Sequence, residues 1–212
     1  MVKKQIPSSF DSSVLSEFTH REVLIAGVDE VGRGCLFGPV VAASVVFAIA
    51  QLPQLIEMGV KDSKQLSAKR RLNLVEDIQK LALAWQVSYA TAQEIDRINI
   101  LQASLLAMRR SVIKLKVQPT VCLVDGKQAI PELSIAQKNM IKGDRRSPVI
   151  AAASIVAKVW RDELIVRLAQ KYPEYDLIAN KGYGTLKHRL ALQKYGPSPQ
   201  HRLSFRPCQI KF

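Results

Sequence analysis

"REVLIAGVDEVGRGCLFGPVVAASVVFA", residues 21–48, sets two apolar runs on either side of a glycine-rich stretch. The first run, 21–30, is short, rich in β-branched residues and stopped by Gly32 and Gly34, which predicts a strand. The second, 39–48, predicts another. About ten residues separate their cores, so the pair reads as a hairpin with a long functional loop. Two adjacent acids, Asp29 and Glu30, close the first run, and Arg33 follows between glycines.

Those acids stand in a basic chain. Its 212 residues carry 31 Lys+Arg against 18 Asp+Glu, a formal charge of +13. Such a balance favours a polyanionic partner, nucleic acid first. Carboxylates beside a phosphate backbone would repel it unless cations intervene.

The rest of the chain alternates in an α/β order. Ser67 is placed to cap a helix running to Leu81, with Lys69, Arg70 and Arg71 in its first turns. Cations there oppose the helix dipole, so they are expected to face something anionic. Residues 84–92 predict a strand. Ile95, Ile98, Leu101, Leu105 and Met108 predict one long helix over 92–116. Residues 120–126 predict a short buried strand ending at Asp125. A second long helix is predicted over 147–172, with Pro148 near its start and a run of alanines suited to packing on a sheet. A further helical stretch reaches Lys194. Residues 1–20 read as a polar N-terminal arm and 21–212 as one catalytic domain.

Several classes are excluded. The N-terminus lacks the apolar core of a signal peptide. The longest apolar run, 39–50, falls short of the about 20 residues a membrane span needs. Cys35, Cys122 and Cys208 are widely spaced and form no CxxC pair, so no zinc site is expected and a reduced cytoplasm is the expected setting.

The acids carry the chemistry. Asp29 and Asp125 each end an apolar strand, and ligand sites in α/β sheets lie at the carboxyl ends of strands. Successive strand residues face opposite ways, so Asp29 and Glu30 are expected to share a site only where the strand breaks, at Gly32 and Gly34. Asp144, in "KGD" (142–144), adds a fourth acid. Clustered carboxylates need cations to stay ionised together, and hard oxygen donors select Mg²⁺ or Mn²⁺. Two such ions roughly 3.5–4 Å apart activate water and stabilise a phosphodiester's leaving oxygen.

Other groups fit catalysis less well. His20, His188 and His201 are scattered, which argues against a histidine pair and for solvent-facing or phosphate-contacting roles. Ser154 and Lys158, four apart on one helix, read as packing with a polar edge to the site. Cys35 reads as a small apolar filler. Trp85 and Trp160 read as core or edge packing.

"GVDEVGRG…GPVVAA", "DSKQLS" (62–67), "EIDRINILQAS" (94–104), "LVDG" (123–126), "KGDRRSPVIAAASIVAKVWRD" (142–162), "KGYGT" (181–185) and "HRLSFRP" (201–207), in that order, resemble bacterial ribonuclease HII. The resemblance implies a ribonuclease H-like fold: an α/β mixed sheet with antiparallel first strands, flanked by helices, and a helical C-terminal extension. It implies metal-dependent cleavage of RNA in RNA/DNA hybrids and on the 5′ side of ribonucleotides embedded in duplex DNA. The ends would be a 3′-hydroxyl and a 5′-phosphate. By position, Asp29, Glu30, Asp125 and Asp144 would ligate two Mg²⁺ or Mn²⁺ ions. The backbone of Gly32, Arg33 and Gly34 would meet the ribose 2′-hydroxyl, Tyr183 would stack on the neighbouring deoxyribose, and Lys64 would contact a phosphate. Cys35 and Phe37 depart from the family's usual proline and small residue, so altered packing beside intact chemistry is expected. Arg33 and the short N-terminal arm argue against the related ribonuclease HIII. A non-catalytic hybrid-binding protein on the same fold is the alternative. The terminal "CQIKF" lacks the paired aromatics of a clamp-binding tail, so no sliding-clamp partner is expected. A monomer is expected, and no membrane partner.

Overall fold

The computed structural model describes residues 23–60 and 66–209. The N-terminal arm, Lys64 and the last residues of the tail lie outside the described residues. Five strands form one sheet: β1 (Leu24–Val31), β2 (Val40–Ala48), β3 (Ala84–Ala90), β4 (Val121–Asp125) and β5 (Ala136–Met140). Their order is β3-β2-β1-β4-β5. The β1–β2 and β2–β3 pairs are antiparallel, and β4 and β5 run parallel to β1. The expected opening hairpin is present, and the sheet is mixed as the resemblance implied.

β2 is buried along both faces through Phe47. That explains why its sequence is continuously apolar rather than alternating. Helix α1 (Leu52–Glu57) follows it, and α2 (Ala68–Leu81) starts at Ser67, whose hydroxyl accepts from the Arg70 N–H. On one face of the sheet lie α1, α2 and the long α5 (Pro148–Ala169), packed on Ile25, Val45, Val121 and Leu123. On the other lies α3 (Ala92–Ile113), packed on Ala26, Val28, Val40 and Val124. The start of α5 sits directly on β1. A Cβ at Gly27 would fall 2.0 Å from the Val149 carbonyl oxygen, so only glycine fits there.

One expectation about an element is corrected, and one element was not foreseen. The helix predicted over 92–116 ends at Ile113 and is broken at Asn99, which takes φ 65°. Asn99 turns its Oδ1 onto the N–H groups of Leu101 and Gln102 and so caps a second helical segment. That backbone, φ 65° and ψ 165°, is one that glycine adopts far more readily, and the cap from the Asn99 side chain offsets the strain, while the apolar spacing runs on across the break unaltered. The unforeseen element is β5, whose "AQKNM" is polar and poor in β-formers. It forms an edge strand because β4 offers it a parallel partner, from Val121↔Ala136 to Asp125↔Met140. A short helix, α4 (Gly143–Arg146), follows it.

Beyond α5 the chain makes α6 (Leu177–Asn180), α7 (Leu186–Tyr195) and a closing 3-10 turn, Arg206–Cys208. This extension has its own small core. Tyr175, Leu177, Leu192 and Cys208 gather around Leu36 and Phe37 from the loop after β1. The C-terminal part is thereby built onto the glycine-rich loop.

Candidate active site

β1 and β4 are parallel neighbours, with Val28 opposite Val124. The next residues, Asp29 and Asp125, therefore stand side by side at the carboxyl ends of adjacent strands, on the α5 face. Glu30 reaches the same place from the other face. Its strand does not break there, contrary to expectation: β1 stays paired with β2 through Glu30↔Ala42 and Val31↔Val41. The two faces meet because β4 ends at Asp125, one residue short of Glu30's level. With the neighbouring strand gone, the Glu30 side chain closes around the rim. One carboxylate oxygen from each of Asp29, Glu30 and Asp125 lies within 4.8 Å of the others.

Each acid is held. Asp29 accepts from the Glu30 N–H at 2.7 Å and from the Ser154 hydroxyl on α5. Glu30 pairs with Arg33 at 3.0 Å. Asp125 accepts from the Gly143 N–H at 2.6 Å. Asp144, in α4, is buried and lines the same cavity, but it stands apart from the tight trio. That cavity, of about 240 Å³, is bounded by Asp29, Glu30, Gly32, Arg33, Gly34, Asp125, Asp144 and Tyr183, with Ser154 and Lys158 from α5. The structure thus brings together every predicted site residue it describes.

Crowding shows in the acid strengths. Burial, then Glu30 and Asp125, pushes the Asp29 carboxyl well above its ordinary range. Burial also raises Glu30, although Arg33 works against it. Three carboxylates gathered this closely, two of them raised by burial, suit a small, hard divalent cation.

The loop after β1 and the loop that carries Tyr183 are laced to each other from below. The Gly182 carbonyl accepts from the N–H groups of Leu36 and Phe37, and Cys35 pairs with Tyr183 in a β-bridge. Arg161, fully buried on α5, donates to the carbonyls of Pro39, Phe37 and Lys181 at 2.9–3.1 Å. Arg202, also fully buried, donates to the carbonyls of Gly38 and Arg33. Buried guanidinium groups need such acceptors, and these carbonyls all belong to the two loops. Gly32 has φ +90°, and a Cβ there would strike Arg161. A Cβ at Gly34 would meet nothing within 4 Å, so its absence leaves open space above the loop. Sequence reasoning missed both arginines. Arg161 stands among other charged residues of its helix and Arg202 inside the "HRLSFRP" segment, so neither is marked by its own stretch of sequence.

Other expectations divide. Cys35 is a buried filler, as read, and Phe37 fills the small C-terminal core against Tyr172 and His201. Ser154 and Lys158 do present a polar edge to the site. Trp160 stacks on Tyr89 and Trp85 lies on the edge strand β3. His188 and His201, expected to face solvent or phosphate, are instead buried and bonded to each other.

A model of the family "Ribonuclease HII" matches residues 26–208. The chain belongs to the ribonuclease HII family. Ribonuclease HII of Trichormus variabilis is 65% identical over 187 residues, covering 88% of this chain and 83% of that protein. Among solved structures, ribonuclease H2 from Pyrococcus horikoshii superposes with a TM-score of 0.77 at 28% identity, over 88% of this chain and 96% of that one. The PCNA:RNase HII complex from Archaeoglobus fulgidus contains a chain 31% identical, with a TM-score of 0.66, over 82% of this chain and 88% of that one. That complex removes the ground for expecting no sliding-clamp partner in a ribonuclease HII, and the expectation is withdrawn. The ribonuclease H-like fold expected from the motifs is the fold observed. Among the described residues no helix is long and apolar enough to cross a membrane.

Proposed function

We propose that this ribonuclease HII cuts the RNA strand of RNA/DNA hybrids and the 5′ side of ribonucleotides embedded in duplex DNA. The ends it leaves are a 3′-hydroxyl and a 5′-phosphate. The observation that carries this reading is the convergence of Asp29, Glu30 and Asp125 on one rim, directly beside the loops that hold Gly34 and Tyr183.

Asp29, Glu30, Asp125 and Asp144 are the proposed ligands of Mg²⁺ or Mn²⁺, the first three as a tight trio and Asp144 from the same cavity. When bound, two such ions would supply an activated water and neutralise charge on the leaving oxygen. The protein's own residues do the rest. Ser154 orients Asp29 by hydrogen bond, and the Gly143 N–H orients Asp125. Arg33 holds Glu30 toward the rim while its backbone, between Gly32 and Gly34, approaches the ribose 2′-hydroxyl. Tyr183, 39% exposed, offers a ring to the adjacent deoxyribose. Lys64 is the proposed phosphate contact before α2. The chain's charge of +13 holds the duplex. Residues 21–212 act as one catalytic domain preceded by the arm, as a monomer. The cytoplasm is the proposed compartment, supported by the free thiols of Cys35, Cys122 and Cys208.

The test is a nicking assay on a DNA duplex with one embedded ribonucleotide, with and without Mg²⁺, followed by mass spectrometry of the ends. Metal-dependent cleavage 5′ to the ribonucleotide is expected. A 2′,3′-cyclic phosphate product would overturn the mechanism.

A further inference from the structure

His188 and His201 lie beneath Tyr183, and the proposed mechanism does not use them. Their ring nitrogens are joined Nε2 to Nε2 at 3.0 Å. Both ends of the pair are fixed by backbone. The Ser198 N–H, which can only donate, meets His201 Nδ1 at 2.9 Å. The Tyr183 carbonyl, which can only accept, meets His188 Nδ1 at 2.9 Å. These ends leave one assignment. His201 accepts at Nδ1 and carries its proton on Nε2. His188 accepts at Nε2 and carries its proton on Nδ1, donating it to Tyr183. The chain of bonds runs one way, and each ring must be neutral for it to close.

The surroundings hold both rings in this state. His188 is 0% and His201 1% exposed. The His201 ring meets Tyr175 at 4.6 Å and Phe37 at 5.0 Å between centroids. Burial lowers both imidazoles, His201 to about 4.

Tyr183 needs such a hold. It sits between Gly182 and Gly184, and Gly182 has φ +86°. Glycines let the turn form but do not fix where its tyrosine points. The Tyr183 carbonyl accepts from the Thr185 N–H and from the His188 ring. The Tyr183 N–H also donates to the Asn180 carbonyl, and the Gly182 carbonyl accepts from the N–H groups of Leu36 and Phe37; the ring bond is the tie that joins the turn to the histidine pair.

We propose that His188 and His201 are positioning residues for Tyr183: their one-way hydrogen-bonded relay fixes the tyrosine at the rim and so sets discrimination between a single-ribonucleotide junction and a continuous hybrid. This rests on the stacking of Tyr183 on the deoxyribose beside the ribonucleotide, proposed above. His188 touches no substrate and acts through the turn.

Paired substitutions separate this role from space-filling. In His188→Asn the amide nitrogen takes the place of Nδ1 and keeps the donor to Tyr183. In His188→Gln the amide takes the place of Nε2, keeping the link to His201 and leaving the Tyr183 carbonyl without its ring donor. The ratio of kcat/KM on a single-ribonucleotide duplex to that on a continuous hybrid should fall about tenfold in H188Q, the effect of one lost hydrogen bond, and stay within about threefold in H188N. His201→Gln and His201→Asn repeat the test one ring earlier, with the Gln variant the better preserved because it still donates to His188. Equal ratios in the Asn and Gln variants overturn the proposal. Tyr183→Ala, run alongside, isolates the underlying reading: an unchanged ratio there defeats the junction role of Tyr183 itself. Imidazole ¹H–¹⁵N correlation spectra of the wild-type protein test the relay without any substrate. Protons on His188 Nδ1 and His201 Nε2 are expected, and the opposite tautomers overturn the relay whatever Tyr183 does.

Discussion

Asp125 accepts a 2.6 Å hydrogen bond from the backbone N–H of Gly143. This bond ties the last residue of β4 to the turn that leaves β5 and carries Asp144. The position of one acid therefore depends on an edge strand of weak intrinsic preference and on a glycine whose missing Cβ leaves room for Ile150, Met140 and the Asp125 carboxylate.

Gly143→Ala tests that tie. An added Cβ would lie 2.5 Å from Ile150 Cδ1, 3.2 Å from Met140 Cβ and 3.3 Å from the Asp125 carboxylate. Ile150 can yield, but the strand and the carboxylate have less room. A stability loss of about 1–3 kcal/mol in urea unfolding is expected. Single-turnover cleavage should fall about tenfold, the scale of 1.4 kcal/mol at the barrier. Unchanged turnover would mean that the placement of Asp125 does not depend on this turn.

Asp125→Asn keeps the acceptor for Gly143 and removes one ligand charge. Cleavage is expected to drop by orders of magnitude at saturating Mg²⁺. Hybrid binding, measured by fluorescence anisotropy, should hold or tighten, because a charge that repels phosphate is gone. Near-normal cleavage would remove Asp125 from the metal ligands.

Asp29→Asn should stabilise the metal-free protein. The folded Asp29 carboxyl titrates well above its ordinary value of 3.8. Protonation therefore favours the folded state, and stability is lost as pH rises through the folded value. At neutral pH the ionised group opposes folding, and its amide replacement does not. A gain of about 1–2 kcal/mol in EDTA at pH 7 is expected, shrinking as the pH is lowered. A thermal melting series across pH gives the answer, and a gain that persists in acid would point to a cause other than charge.

Glu94 shows the opposite sign. Hydrogen bonds from Arg110, at 2.7 and 3.2 Å, hold its carboxyl down to about 2 from an ordinary 4.5. The stabilisation is complete above 4.5 and is lost as pH falls from there through 2. Both side chains are partly exposed, so Glu94→Gln should cost about 1 kcal/mol at pH 7. The gap between wild type and variant should narrow in acid. A gap constant from pH 7 to pH 3 would show that the loss does not come from the charge of the Glu94 carboxylate.

The sequence by itself determined the opening hairpin, the strand that ends at Asp125, the helix from Ser67 to Leu81 and the identity of the acids. These are local signals: continuous apolar runs, a capping hydroxyl and carboxylates at strand ends each leave a mark within a few residues. Tertiary structure decided the rest. β5 exists because β4 offers it hydrogen bonds, which its own polar residues do not announce. Glu30 joins Asp29 because the strand beside β1 stops one residue short, a property of the neighbour and not of Glu30. Arg161 and Arg202 gain their roles from carbonyls far away in the chain, and the two buried histidines theirs from the rings that the C-terminal core packs around them. A donor's partner is set by where the chain returns, and no spacing along the sequence records that.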